Sequence, residues 1–191
     1  MIDIYYRQLT SVDIPELINL HKEWFPFEYN EVFFNDIVNG GSNRQVLNIG
    51  ACIKINGIEY IVGSILCEIY KESKENTDKM LPFKYAPFEF CTRSCYDIFC
   101  CQPIELCYVL LLGVIDECRK IGLASKLIAD LTKKVKQVNP KCKGLYLHVL
   151  DYNNAAIKCY IKNGFKELNQ VYNYFIVGNK KYDGRIMMKK F

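Results

Sequence analysis

An apolar run from Leu106 to Val114, followed by a glycine turn at Arg119–Ala124, restricts the fold of this chain more than any other stretch. Near-unbroken apolar character over that length marks a strand buried on both faces. From Ile121 the period changes. Ile121, Ala124, Leu127, Ile128, Leu131, Val135 and Val138 recur at spacings of three and four, which is one face of a helix. Asn139-Pro140 ends it, because proline cannot continue a helix and restricts the residue before it. Leu145 to Leu150 reads as a second strand, and a second helix is expected from Asn153–Asn154 to Gly164. Strand, helix and strand at this length make a βαβ unit with parallel strands.

The remaining segments are read around that unit. Tyr5 to Leu9 alternates weakly and predicts a first strand. Thr10, Ser11 or Asp13 can cap the helix that follows, with Pro15 in its first turn. Ile14, Leu17, Ile18 and His21 share a face of that helix, with His21 expected at its surface or partly packed. A short helix is expected over Val32–Val38. Val46–Ile55 and Ile58–Tyr70 are β-rich, and Asn56-Gly57 between them favours a type I′ hairpin turn. Lys71–Lys79 reads as a solvated connection. Leu81–Pro103 is aromatic and cysteine-rich without periodicity. Strands are expected at Phe165–Leu168, Val171–Val177 and Arg185–Phe191, with Asn179, Asp183 and Gly184 in a turn.

Half of the 191 residues are hydrophobic, which suits one domain over residues 1–191 with a sizeable core. A net charge of +4 is too mild to argue for nucleic acid. Ten cysteines include the cluster Cys91, Cys95, Cys100 and Cys101, but no CxxC pair and no nearby histidine, so no metal site is expected. The first residues lack a basic segment followed by an apolar run, and no apolar run approaches the ~20 residues of a membrane span. An intracellular, reduced location is the simpler reading.

Three stretches carry chemistry. Uncapped N–H groups and a partial positive charge at a helix start, with Gly122 allowing close backbone approach, make a place for a pyrophosphate; the alternative is an ordinary helix start with Arg119 and Lys120 solvated. Trp24-Phe25-Pro26-Phe27-Glu28-Tyr29 carries four aromatics and a proline, as a plug over the core or as the wall of an apolar pocket. Tyr108 and His148 lie on successive parallel strands. With a period of two, Tyr108, Leu110 and Leu112 share one face, as do Tyr146, His148 and Leu150. His148 is either a satisfied core histidine or a general base, since histidine titrates near neutrality.

The order Arg-Lys-x-Gly-x-Ala after an apolar strand, then Asn-Asn-Ala-Ala-x-x-x-Tyr-x-x-x-Gly-Phe after a second, resembles the GNAT acetyltransferase family. Glu23–Tyr29, Tyr108–Val114 and Tyr146–Leu150 bring the resemblance closest to the N-terminal acetyltransferases of the NatF type, over nearly the whole chain. It implies an α/β GNAT fold: a mixed sheet of about seven strands flanked by helices, with a parallel βαβ core and antiparallel strands at both ends. It implies acetyl-CoA, held by Leu112, Gly113 and Val114, by the turn residues Arg119, Lys120, Ile121, Gly122, Leu123, Ala124 and Ser125, and by Asn153, Tyr160 and Asn163. It makes Tyr108 and His148 the catalytic pair. Phe25, Phe27, Glu28, Tyr29, Leu110, Tyr174 and Phe175 become the substrate side, although tyrosine is usual in that type where this chain has Phe175. The implied substrate is a protein N-terminus beginning with methionine and then a hydrophobic or lysine-type residue. A lysine, histone or small-amine substrate, and an acyl-CoA-binding module without turnover, are the other readings. A monomer or weak homodimer is expected. The NatF type is often held on Golgi membranes by a C-terminal extension; with Phe191 directly after the last expected strand, a soluble cytoplasmic protein is expected here.

Overall fold

A computed structural model describes residues 3–27, 29–40, 45–71 and 105–191, without the side chains of residues 70 and 71. The Lys71–Lys79 connection beyond its first residue, the Leu81–Pro103 segment with its cysteine cluster, and Glu28 lie outside the described residues. Seven strands form one sheet: β1 (Tyr5–Arg7), β2 (Gln45–Ile55), β3 (Ile58–Lys71), β4 (Glu105–Val114), β5 (Cys142–Leu150), β6 (Lys166–Val177) and β7 (Lys180–Lys190). Their order is β1-β2-β3-β4-β5-β7-β6. β4 and β5 are parallel and the other neighbours are antiparallel, as expected for the βαβ unit and its flanks.

The helices are α1 (Ile14–Trp24), α2 (Glu31–Asn39), α3 (Leu123–Val138) and α4 (Asn154–Lys162). α1 and α2 cover one face of the sheet, where Ile14, Leu17, Phe34 and Ile37 pack on Cys52, Ile61, Leu66 and Leu111. α3 covers the other, with Leu127, Ile128, Leu131 and Val135 against Ile65, Val109 and Leu145. Two positions assigned to the buried face of α3 are instead exposed: Ile121 at 65% and Val138 at 47%. Ile121 stands before the helix begins, between Lys120 and Gly122, whose left-handed φ values of 64° and 94° turn the chain outward. Leu123 takes the buried place. The hairpin at Asn56-Gly57 has φ of 52° and 82°, the signs a type I′ turn requires. No helix among the described residues is long and apolar enough to cross a membrane.

Other expectations change in detail. The first strand stops at Arg7. The two strands expected after Gly164 are one strand, β6, and Asp183 and Gly184 lie within β7 rather than in a turn. His21 is not at the surface of α1: it is only 2% exposed, ringed by Trp24, Phe25 and Phe34, with Nε2 3.4 Å from Ser64 Oγ.

The strict alternation expected along β4 is also broken. β3 pairs Leu66 with Leu111 and Cys67 with Val109, so Leu110 is an extra, bulged residue. Leu110 and Leu111 both pack toward α1 and α2, while Leu112 packs with the α3 cluster. Leu112 is therefore on the opposite face from Tyr108 and Leu110. At the next residue, Gly113 carries the indole of Trp24 directly on its backbone. A Cβ at Gly113 would lie 1.9 Å from Trp24 Cε3. Gly113→Ala is expected to destabilise the fold by about 1–3 kcal/mol through overpacking, read as a lower denaturant midpoint. An unchanged midpoint would show that the indole is free to leave β4.

Candidate active site

The site begins where two parallel strands part. β4 and β5 pair as far as Tyr108 opposite Tyr146, yet β4 continues to Val114 and β5 to Leu150. Beyond that pair the facing edges of the two strands have no ladder partner in each other. The backbone N–H and C=O groups of β4 that face the gap, around Leu112–Val114, suit an extended polar ligand such as an amide chain.

Four rings gather at the mouth of the gap. Tyr108 stacks on Tyr146 at 4.7 Å between centroids. His148 Nδ1 lies 3.1 Å from the Tyr108 hydroxyl. The imidazole is covered by Tyr174 from β6, stacked at 4.3 Å and 7°. The Tyr108 and Tyr174 hydroxyls are also hydrogen-bonded to each other. His148 Nε2 is buried and has no hydrogen-bond partner among the described residues. Burial holds the His148 pKa down at about 4, so the ring is neutral at physiological pH. Burial likewise raises the Tyr108 phenol well above its ordinary value, with the neighbouring Tyr174 adding to the effect, so Tyr108 stays protonated. Tyr108 and His148 thus come together as their sequence positions imply.

The aromatic stretch after α1 forms the adjoining wall. Phe27 stacks on Phe175 of β6 at 5.5 Å and 3°, and meets Tyr29 edge-on at 5.9 Å. Tyr29 stacks on Phe33 of α2 at 4.3 Å, and Phe25 stacks on His21 at 5.2 Å. Leu110 packs in the same cluster as Phe25 and Tyr29, an outcome of its bulge. Phe25, Phe27, Tyr29, Leu110, Tyr174 and Phe175 therefore share one apolar region beside His148. One residue in this quarter went unread in the sequence. Glu68 of β3 pairs across the strand with Tyr108 and is only 3% exposed. A lone carboxylate inside Ile65-Leu66-Cys67-Glu68-Ile69 was the available signal.

The glycine turn leaves the start of α3 without a side-chain cap. A 3-10 turn at Asp116–Cys118 leads into it, and Arg119 Nε donates to the Val114 carbonyl at 3.1 Å. Gly122 is the N-cap of α3, in the left-handed conformation. No side chain caps the first turn, and no acidic residue stands in it. The N–H groups of Leu123, Ala124 and Ser125 are thus left for a ligand, with Arg119 and Lys120 exposed beside them. Asn163 Nδ2 donates to Ser125 Oγ at 3.0 Å, which ties the end of α4 to this turn. Asn153 is used locally: its side chain caps α4 by accepting from Ala156 N–H at 3.1 Å. Tyr160 is buried in the core against Phe165.

A parted parallel pair, an uncapped helix start beside it and a buried tyrosine–histidine pair define an acyl-transfer scaffold. The model of the acetyltransferase (GNAT) family matches residues 14–165, and the chain belongs to that family. It is 31% identical over 186 residues to N-alpha-acetyltransferase 60 of Danio rerio, covering 95% of this chain and 67% of the relative. It is 24% identical over 180 residues to histone acetyltransferase MCC1 of Arabidopsis thaliana, covering 94% and 67%. The chain spans about two thirds of the length of these curated relatives. Among solved structures, Arabidopsis thaliana NAA60 in complex with acetyl-CoA superposes with a TM-score of 0.79 at 25% identity, covering 99% of both chains. The same protein with a bisubstrate analogue gives 0.78 over 98% of both.

Burying both histidines neutral has a cost in acid. His21 is held at a pKa of about 3 by burial, against 6.5 in the unfolded chain. Stability from this residue is complete above pH 6.5 and is lost as pH falls toward 3, because only the unfolded state takes up the proton. The slope approaches about 1.4 kcal/mol per pH unit for a single such group. His21→Phe is expected to flatten the acid limb of stability between pH 6 and 4, measured by urea midpoints, without changing the trend above pH 7.

Proposed function

We propose that this chain transfers the acetyl group of acetyl-CoA directly to the α-amine of a protein N-terminus. The observation that carries this is His148: neutral, fixed at Nδ1 by Tyr108, and with a buried, unpartnered Nε2 at the mouth of the parted strands. The proposed reaction uses the tautomer in which His148 Nδ1–H donates to the Tyr108 oxygen and the Tyr108 hydroxyl donates to Tyr174. The lone pair then resides on Nε2, where a general base needs it. Acetyl-CoA supplies a thioester whose C–S bond breaks as the neutral amine nitrogen forms the new amide; the sulfur leaves as a thiolate, and the proton that the amine gives to His148 passes on to it. The amine proton passes to His148 Nε2, directly or through water. Tyr108, kept protonated, orients the imidazole and the incoming amine.

The uncapped start of α3, from Gly122 to Ser125, receives the pyrophosphate, and the β4 backbone near Leu112–Val114 receives the pantetheine amides and polarises the carbonyl. Asn163 supports this cradle through Ser125. Phe25, Phe27, Tyr29 and Leu110 enclose an apolar first side chain such as methionine, with Tyr174 and Phe175 closing the opposite side. The solved complexes favour this reading, since a related fold is captured with acetyl-CoA and with a bisubstrate analogue. A lysine substrate is the second reading, favoured by the histone acetyltransferase name of one relative.

Two matched peptides separate these readings. One has a free Met-Lys or Met-Val N-terminus and no available lysine amine; the other has a blocked N-terminus and one internal lysine. Turnover of the first alone is expected, and turnover of the second alone would overturn the substrate class. His148→Ala is expected to lower kcat by roughly 10²–10⁴-fold, the usual worth of a general base, with acetyl-CoA affinity kept within about twofold. Because His148 is neutral above about pH 4, kcat/KM is expected to rise with pH toward the ordinary α-amine pKa of about 8. An inflection at pH 6.5 instead would mean that His148 titrates as an exposed imidazole.

A further inference from the structure

The cover over His148 depends on an irregularity in β6. Regular pairing places Val171 opposite Gly184 and Phe175 opposite Tyr182. Between them Tyr172, Asn173 and Tyr174 face the single residue Asp183. A strand with surplus residues must fold out of the ladder there, and Asn173 makes the turn with a φ of 55°. Asparagine tolerates that left-handed conformation better than most residues.

Asp183 spans the fold-out. Its Oδ1 accepts from the Asn173 backbone N–H at 2.8 Å, and its Oδ2 accepts from the Gln170 side chain at 3.4 Å. Its own carbonyl accepts from Asp151 N–H at 3.1 Å, just past the end of β5. The two residues that follow Asn173 are those of the site: Tyr174 lies flat on His148, and Phe175 lies flat on Phe27. Gly184 leaves room for both. A Cβ there would come within 3.0 Å of Phe175 Cε2 and 3.4 Å of Tyr174 Cδ1.

We propose that Asp183 is a positioning residue for acyl transfer, whose carboxylate holds the fold-out of β6 that lays Tyr174 over His148 and Phe175 against Phe27. The peptide-kinetics arm of its test rests on the N-terminal acetyltransferase reading; the histidine arm does not. The sequence has only two histidines, so NMR titration of the whole chain shows two imidazoles, and His148→Gln assigns them.

In the wild type, His148 is expected to stay neutral down to about pH 4. Asp183→Ala uncovers the ring, and its midpoint is expected to rise by about one pH unit or more toward 6.5. KM for the N-terminal peptide is expected to rise roughly tenfold, with KM for acetyl-CoA within about twofold. Asp183→Asn keeps the Oδ1 acceptor and restores both values. A folded Asp183→Ala chain with an unmoved His148 titration overturns the proposal. So does an Asp183→Asn chain that behaves like Asp183→Ala. If Asp183→Ala does not fold, amide exchange in the wild type decides: a slowly exchanging Asn173 N–H supports the carboxylate bridge and a fast one overturns it. A His148 shift in a chain whose wild type turns over no peptide supports the positioning role and overturns the reaction instead.

Discussion

The separation of β4 from β5 is the constraint on which the rest of this molecule depends. Parallel strands hydrogen-bond evenly along their length, so two long strands that stop pairing after Tyr108 and Tyr146 leave polar backbone facing a gap. That is tolerable only if the gap is bordered by structure that holds the strands apart and offers the backbone another partner. The bulge at Leu110 locally bends and twists β4 near the point of parting. The start of α3 borders the gap on one side of the sheet. The aromatic stretch after α1 and the β6–β7 hairpin border it on the other. In the proposed reaction, cofactor arm and peptide approach from opposite faces and meet at His148.

The electrostatics of the site follow from enclosure rather than from charge. His148 and Tyr108 are surrounded mainly by rings, and burial moves each toward its neutral form. A neutral imidazole is a base without first losing a proton, and a neutral phenol is a donor. The same enclosure favours the uncharged amine over the ammonium, since desolvation penalises the charged form. In the proposed reaction a basic turn and a ring-lined centre divide the work: one receives the anionic end of the cofactor, and the other hosts the reacting atoms.

Much of this was legible in the sequence, for identifiable reasons. A strand buried on both faces and a helix amphipathic over sixteen residues each write a strong period, so the βαβ unit and its glycine turn could be read directly. Asn56-Gly57 gave its hairpin because few other residues accept two positive φ values in succession. The bulge at Leu110 could not be read, since an extra leucine among leucines carries no compositional mark; it put Leu112 on the wrong face. Asp183 and Gly184 looked like turn residues because aspartate and glycine are common in turns, yet one bridges a fold-out and the other clears space for two rings. His21 read as a surface or partly packed residue rather than a fully buried one because Ser64 and Phe34, which help bury it, lie on other elements. Ile121 fits the helical period but precedes the helix, displaced by the two left-handed residues around it.

The fold-out in β6 also bears on how the protein behaves in company. β6 is the last strand of the sheet, and β1 at the other margin has only three residues. An uninterrupted twelve-residue margin would offer a template to which a second chain could add a strand. With Tyr172–Tyr174 turned out of the ladder and Asn173 left-handed, that margin is split into two short stretches. The contortion that sets a ring over the histidine thereby also guards the sheet against growing by one more strand.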